Sequence, residues 1–214
     1  MAEITRRSRL KAERREQLVR AAARLFAERG FRAVSLEDLA AEAGVSGPAV
    51  YRHFASKESL LADLLIDVSE QLLEQGTRRA TDAAPREALT LLVAFHTDFA
   101  LRDRDLIRIQ DHDFANLAFD DQRTVSRLQR SYLEVWVGVL RQIDPTLSES
   151  VARTKIQAVF GLLNSTPHSA SHRDTEATRS ILESMAMDAD VYKRQVHIPV
   201  ADSSDRGTIL RPGA

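Results

Sequence analysis

Phosphate-seeking side chains crowd one short stretch of the chain, SGPAVYRHFASK, from Ser46 to Lys57. Ser46, Tyr51, Arg52, His53 and Lys57 carry hydroxyl, guanidinium, imidazole and ammonium donors, the groups that position proteins on nucleic-acid backbones. Arg52 has the fork that pairs with guanine as well as with phosphate, and both roles stay open to it. Gly47 and Pro48 bring no side-chain donor, so direct base readout from this stretch is expected to be sparse. Other chemistries find little support. The chain has no Cys, which removes disulfides, thiolate zinc sites and cysteine nucleophiles. It has no Gly-rich phosphate loop, no H-E-x-x-H and no G-x-S-x-G, so an enzyme is not expected. Asp111, His112 and Asp113 are consecutive and splay around a helix, whereas metal ligands on a helix stand three or four apart. No metal or cofactor is expected.

The elements that must hold these donors are two short helices and a turn. Ser35 is a good N-cap, and Asp38 can close a capping box with it. Leu36, Leu39 and Ala40 give the first helix one apolar face. Gly44 stands where the chain must turn and can take a positive φ without strain, and Val45 follows as an apolar plug. Ser46 is placed to cap the second helix, with Pro48 in its first turn. That helix is expected to carry Ala49 to His53, with Val50 and Phe54 facing inward and Gly47, Pro48, Tyr51, Arg52 and His53 outward. This is the grammar of a helix-turn-helix, whose second helix enters the major groove of DNA.

Charge distribution agrees with one-ended DNA contact. The formal net charge is −1, yet residues 1–60 hold 12 Lys and Arg against 8 Asp and Glu, and the remainder 18 against 23. A basic head on an acidic body suits a protein that meets phosphate at one end. No apolar run approaches the roughly 20 residues that span a bilayer, and the N-terminus lacks the apolar core of a signal peptide. A cytoplasmic protein with no membrane partner is expected.

The flanks narrow the reading. Phe26-Ala27-Glu28-Arg29-Gly30-Phe31 precedes the pair; Ala40-Ala41-Glu42-Ala43-Gly44-Val45-Ser46 forms its turn; Tyr51 and Phe54, then Ser56-Lys57-Glu58-x-Leu60-Leu61, follow it. From about Arg14 to Leu65 the chain resembles the TetR family of bacterial transcriptional regulators. The resemblance implies an all-α fold: an N-terminal three-helix helix-turn-helix DNA-binding domain followed by a larger helical ligand-binding and dimerisation domain, about nine helices in all. It implies a homodimer on a palindromic operator of double-stranded DNA, released by a small-molecule effector. Ser35, Tyr51, His53 and Lys57 would contact the DNA backbone, with Lys57 clamping a phosphate at a helix N-terminus, while Ser46, Gly47, Pro48 and Arg52 would lie nearest the base edges. The alternative is a helical protein–protein adaptor that has lost DNA binding.

Along the chain, residues 1–13 read as a basic disordered arm and 14–74 as the DNA-binding domain, with the helix-turn-helix at about 36–55. Leu18, Ala21, Ala22, Leu25 and Phe26 repeat at helical spacing in a first helix from Arg14 to Arg29. A fourth helix is expected from Ser56 to about Gly76, followed by a polar break to Pro85. Residues 77–188 then form the helical effector-binding and dimerisation domain. The resemblance assigns a pocket to helices at 86–101, 103–114 and 120–143, and a dimer interface to helices at 148–166 and 172–187, where Ala152, Ala158 and Gly161 would let a partner approach. Candidate ligand residues are Phe95, His96, Phe99, Phe114, Tyr132, Trp136, Phe160 and Asn164. Segments 110–117 and 128–137 and Gly161-Leu162-Leu163-Asn164 resemble a branch tied to acyl-CoA breakdown, implying an acyl-CoA or related thioester as effector. Asp190-Val191-Tyr192-Lys193-Arg194-Gln195 is what GATGTGTATAAGAGACAG, a transposon mosaic end, encodes; residues 189–214 are therefore expected to be a non-native tail.

Overall fold

A computed structural model describes residues 2–169 and 175–191. Among these residues there are only helices and turns: nine helices and one further single-turn helix, with two short 3-10 segments. They are α1 (Ala2–Arg29), α2 (Leu36–Glu42), α3 (Gly47–Tyr51), α4 (Lys57–Thr81), α5 (Pro85–Arg102), α6 (Arg104–Asp113), α7 (Phe119–Ile143), α8 (Glu149–Leu163), the single turn α9 (Thr166–Ser169) and α10 (Thr175–Val191). No helix among them is long and apolar enough to cross a membrane.

The caps form where the side chains allow. Ser35 and Asp38 make a full capping box at α2, and Ser56 and Ser59 make another at α4. Gly30 and Gly44 both take positive φ, 78° and 63°, at the turns after α1 and α2. Arg24 of α1 reaches Glu42 of α2 at 2.7 Å, and Arg15 bridges Asp63 at 2.9 Å and Asp67 at 3.1 Å on α4. These pairs fix α1 across the helix-turn-helix.

Four expectations need correction. Residues 2–13 are not an irregular arm; they extend α1 back to Ala2. The segment is rich in Arg, Glu, Lys and Ala, holds no Gly or Pro, and Arg9 pairs with Glu13 one turn on at 2.9 Å, so propensity and local pairing favour helix. The second helix of the pair is shorter than expected: α3 ends at Tyr51, with Arg52 as its C-cap and His53 beyond it. Ser46 stands at the N-cap of α3 in extended backbone but makes no side-chain capping bond.

The fourth correction concerns Gly76, read as the end of a helix. α4 runs through it to Thr81. Gly76 is buried, and a Cβ there would overlap the ring edge of Tyr132 on α7. The glycine permits close approach of two helices. The boundary placed between residues 74 and 77 therefore falls inside a continuous helix.

Two apolar cores sit along α4. The first joins Leu18, Leu25 and Phe26 of α1, Leu39, Val50 and Phe54 of the helix pair, and Leu60, Leu61 and Leu65 of α4. Ile109, Leu117 and Val125 from α6 and α7 enter the same core. The second joins Leu89, Leu92, Trp136, Leu140, Ile156, Val159, Leu163 and Leu182, with Leu72 and Leu73 of α4 packed against it. On α8, Ala152 packs inward, whereas Ala158, Gly161 and Val151 face outward. Ile181 and Met185 of α10 are also exposed. The proposed adapter-derived tail lies almost wholly outside the described residues; α10 continues as far as Val191.

Replacing Gly76 by Ala should destabilise the protein. The added methyl strikes a ring that neighbouring aromatics hold in place, an overpacking effect of about 1–3 kcal/mol against a propensity gain of about 1 kcal/mol. A lower urea midpoint at unchanged slope is the expected result.

Candidate DNA-facing helix pair and interior cavity

The α2–α3 pair presents a polar edge. Tyr51 is 55% exposed, and Ser35, Ser46, Pro48 and Arg52 are exposed beside it, with Gly47 and His53 half-buried. The hydroxyl of Ser46 and the phenol of Tyr51 point to no partner within the described chain. Burial, then the nearby cations Lys11, Arg14, Arg15 and Arg52, hold the His53 imidazole below its ordinary pKa. Lys11, expected in the arm, and Arg14, at the expected helix start, thus join one positive field on the extended α1. A phosphate entering it would meet neutral donors within a cationic surround.

Two of the expected backbone contacts are already engaged. Ser35 Oγ donates to Asp38 Oδ2 at 2.6 Å and accepts from the Asp38 backbone N–H at 3.1 Å. Only the backbone of that helix start is left for an anion, beside a carboxylate. Lys57 Nζ donates to the carbonyls of Phe31 at 2.7 Å and Val34 at 2.8 Å, and lies 4.3 Å from the centroid of the Phe31 ring. Its ammonium ties the start of α4 to the turn after α1, and only one of its three donors is left for a phosphate. The first-turn position suggested an anion; the Phe31 and Val34 carbonyls took the charge instead.

The second site is a cavity of about 510 Å³ between α4, α5, α6, α7 and α8, within the range of small-molecule sites. Five of the eight candidate residues line it: His96, Phe99, Tyr132, Phe160 and Asn164. The other three stand elsewhere. Trp136 is fully buried behind them, edge-on to Phe160 at 5.1 Å between centroids. Phe95 lies beneath the Arg79 guanidinium at 4.1 Å and faces an outer groove. Phe114 packs against the head core. Each has the residue type of a pocket wall; helix phase sends Phe95 and Trp136 away, and the 3-10 turn after α6 sends Phe114 away.

His96 organises the cavity's polar side. It is 3% exposed. Its Nε2 lies 3.0 Å from Asn164 Oδ1, and its Nδ1 lies 3.3 Å from the Tyr132 hydroxyl. A carbonyl oxygen only accepts, so Nε2–H donates to Asn164 and Nδ1 accepts from Tyr132. Burial holds His96 neutral, its pKa lowered to about 4 with the Asn164 hydrogen bond opposing. Burial likewise pushes the Tyr132 phenol up. His96 and Phe160 stack at 4.8 Å. Sequence reasoning missed Ser69, Leu72, Gln129, Arg130, Leu133 and Gln157 on the walls. Ser126, Gln129 and Leu133 share one helical face at three- and four-residue spacing, a signal that was legible as a polar edge to the apolar stripe of α7. The Gln129 amide nitrogen is shielded from solvent and has no hydrogen-bond partner among the described residues, which leaves a donor for a ligand carbonyl.

Residues 18–64 match the family described as bacterial regulatory proteins, tetR family. Over those residues the helix-turn-helix region is that of the TetR family. It is 33% identical over 134 residues to the HTH-type transcriptional repressor KstR2 of Rhodococcus jostii (strain RHA1), a stretch covering 61% of this chain and 65% of that protein. A TetR-family regulator from Bordetella parapertussis 12822 superposes with a TM-score of 0.73 at 22% identity, over 81% of this chain and 94% of that one. FadR from Bacillus subtilis, solved in complex with stearoyl-CoA, gives a TM-score of 0.66 at 20% identity, over 81% and 98%. Both structures share the TetR fold.

Lys57→Met should lower stability by about 1–3 kcal/mol, because a charged donor to two carbonyls is lost; denaturant melts check this, and a pure phosphate contact would leave stability unchanged. His96 stays neutral in the fold while an unfolded imidazole protonates near its ordinary 6.5. The unfolded state then binds the extra proton, so stability falls as pH drops from about 6.5 towards about 4, by up to about 3 kcal/mol. Denaturant melts at intervals through that window should show the slope, and His96→Gln should flatten it.

Proposed function

We propose that this protein is a ligand-responsive transcriptional repressor, acting in the cytoplasm, that binds a palindromic operator as a homodimer and is released by an acyl-CoA or related thioester. One observation carries the reading: the cavity and the helix-turn-helix share α4, which packs in both cores. Occupancy at one end of that helix therefore has a physical route to the other.

Each part rests on its own support. Ser46, Tyr51, Arg52 and His53 offer donors on an exposed edge, with Gly47 and Pro48 allowing close backbone approach. Val151, Ala158 and Gly161 of α8 lie on one exposed face, and Ile181 and Met185 of α10 on another; a second copy would cover both as a four-helix bundle. Such a dimer sets two recognition helices roughly 34–36 Å apart or somewhat more, one turn of DNA. Within a mixed lining, Leu72, Phe99, Ile107, Leu133 and Phe160 offer apolar contacts to an acyl chain, and the Gln129 amide is a donor for its carbonyl. The repressor relative and the neighbour that holds stearoyl-CoA support the same assignment.

The test has two stages. Selection from random duplex DNA with the full chain should enrich a palindrome. Acyl-CoAs of graded length, added to that complex, should raise the melting temperature of the protein and release the DNA. Absence of any enriched sequence would contradict the DNA-reading assignment; a flat response to every acyl-CoA would contradict the effector assignment.

A further inference from the structure

Arg123, Arg127 and Arg130 stand on α7 at intervals of four and three, so they share one face over about 10 Å of helix. All three are exposed. Among the described residues none of them pairs with a carboxylate; Arg123 lies 5.7 Å from the centroid of Phe119, a ring that is itself 71% exposed. By contrast Arg153, on the cavity's other wall, is neutralised by Glu134 and Glu149. Like charges one turn apart oppose the helix they sit on, and this body is otherwise acidic. The row faces a cleft along α7 that also holds Gln122 and Ser126, with Asp120 at its far end. Ser126 and Arg130 line both that cleft and the interior cavity. They are the joint between the cavity, where Leu72, Phe99, Ile107, Leu133 and Phe160 supply the apolar contacts, and a cationic strip.

We infer that the Arg123–Arg127–Arg130 row binds the phosphate groups of a ligand whose apolar part occupies the cavity. The ligand class is an amphiphile with an oligophosphate head, and under the effector reading above, on which this rests, that head is the nucleotide of a coenzyme A thioester. Guanidinium forks match phosphate oxygens in pairs. The chain passes Ser126 and Arg130, the carbonyl reaches the Gln129 amide, and the head leaves along the row. A free fatty acid fills the chamber and leaves the row empty; free coenzyme A does the reverse. The row therefore makes the protein selective for the activated form of an acid over the acid itself.

The experiment measures affinities of octanoyl-CoA, palmitoyl-CoA, the two free acids and coenzyme A for the full chain, wild type and Arg123→Gln/Arg127→Gln, two positions that line the cleft and not the cavity. Both side chains are exposed, so the variant keeps the fold, which a melting curve checks. At least one thioester should bind roughly tenfold or more tightly than its acid, the difference expected for charge-assisted hydrogen bonds. The variant should lose that margin while binding the acid as before, and Arg123→Lys/Arg127→Lys should keep part of it. The margin should shrink with added salt. Equal binding of a thioester by wild type and variant would overturn the inference. So would a variant that loses operator affinity with no ligand present, which would assign the row to DNA. If neither thioester nor acid binds the wild type, the effector reading itself fails, an outcome distinct from either.

Discussion

Everything in this molecule hangs on α4 belonging to two cores at once. Its 25 residues span about 37 Å. Leu60, Leu61 and Leu65 at one end close the core of the helix-turn-helix, and Leu72 and Leu73 towards the other pack against the body. Gly76 lets Tyr132 of α7 press onto the helix, and Tyr132 holds one nitrogen of His96. The same ring is a cavity wall. A helix bound at both ends cannot shift at one without a response at the other, because packed interiors rearrange between discrete fits and do not deform smoothly.

A second tie runs beside the first. Ile109 and Phe114 pack against the head core from α6 and the turn after it, as does Val125 from α7. Asp113, at the end of α6, faces the Phe31 backbone N–H, with Lys57, His112 and Arg32 nearby; burial raises its carboxyl pKa, and the hydrogen bond and cations oppose that. Lys57 in turn holds the Phe31 and Val34 carbonyls. α6 also lines the cavity through Ile107 and Gln110. Two elements of the cavity wall thus end at the turn that sets α2 in place, one through α4 and one through α6.

Local rules made much of this fold legible. Ser35 with Asp38, Ser56, Ser148, Gly30 and Gly44 act through their own backbone neighbours, so their types reveal their roles. What stayed hidden depended on distant partners. Gly76 reads as a helix end until Tyr132 arrives above it. Lys57 reads as an anion binder until two carbonyls from another segment reach it. Phe95 and Phe114 have the bulk of ligand contacts, yet helix phase turns one under Arg79 and the 3-10 turn after α6 sends the other into the head core. The Arg row on α7 was visible as spacing, but its meaning needed Ser126 and Arg130 to be shared between cleft and cavity.

Coupling between two sites is reciprocal: whatever factor a ligand takes from operator affinity, the operator takes from ligand affinity. The most direct measurement is therefore the affinity for palmitoyl-CoA, taken with and without saturating operator. The account predicts a weakening by the same factor that palmitoyl-CoA imposes on operator binding, in the range of about 5–150-fold. Identical affinities in the two states would contradict it, since cavity and helix-turn-helix would then be joined by α4 in structure but not in free energy.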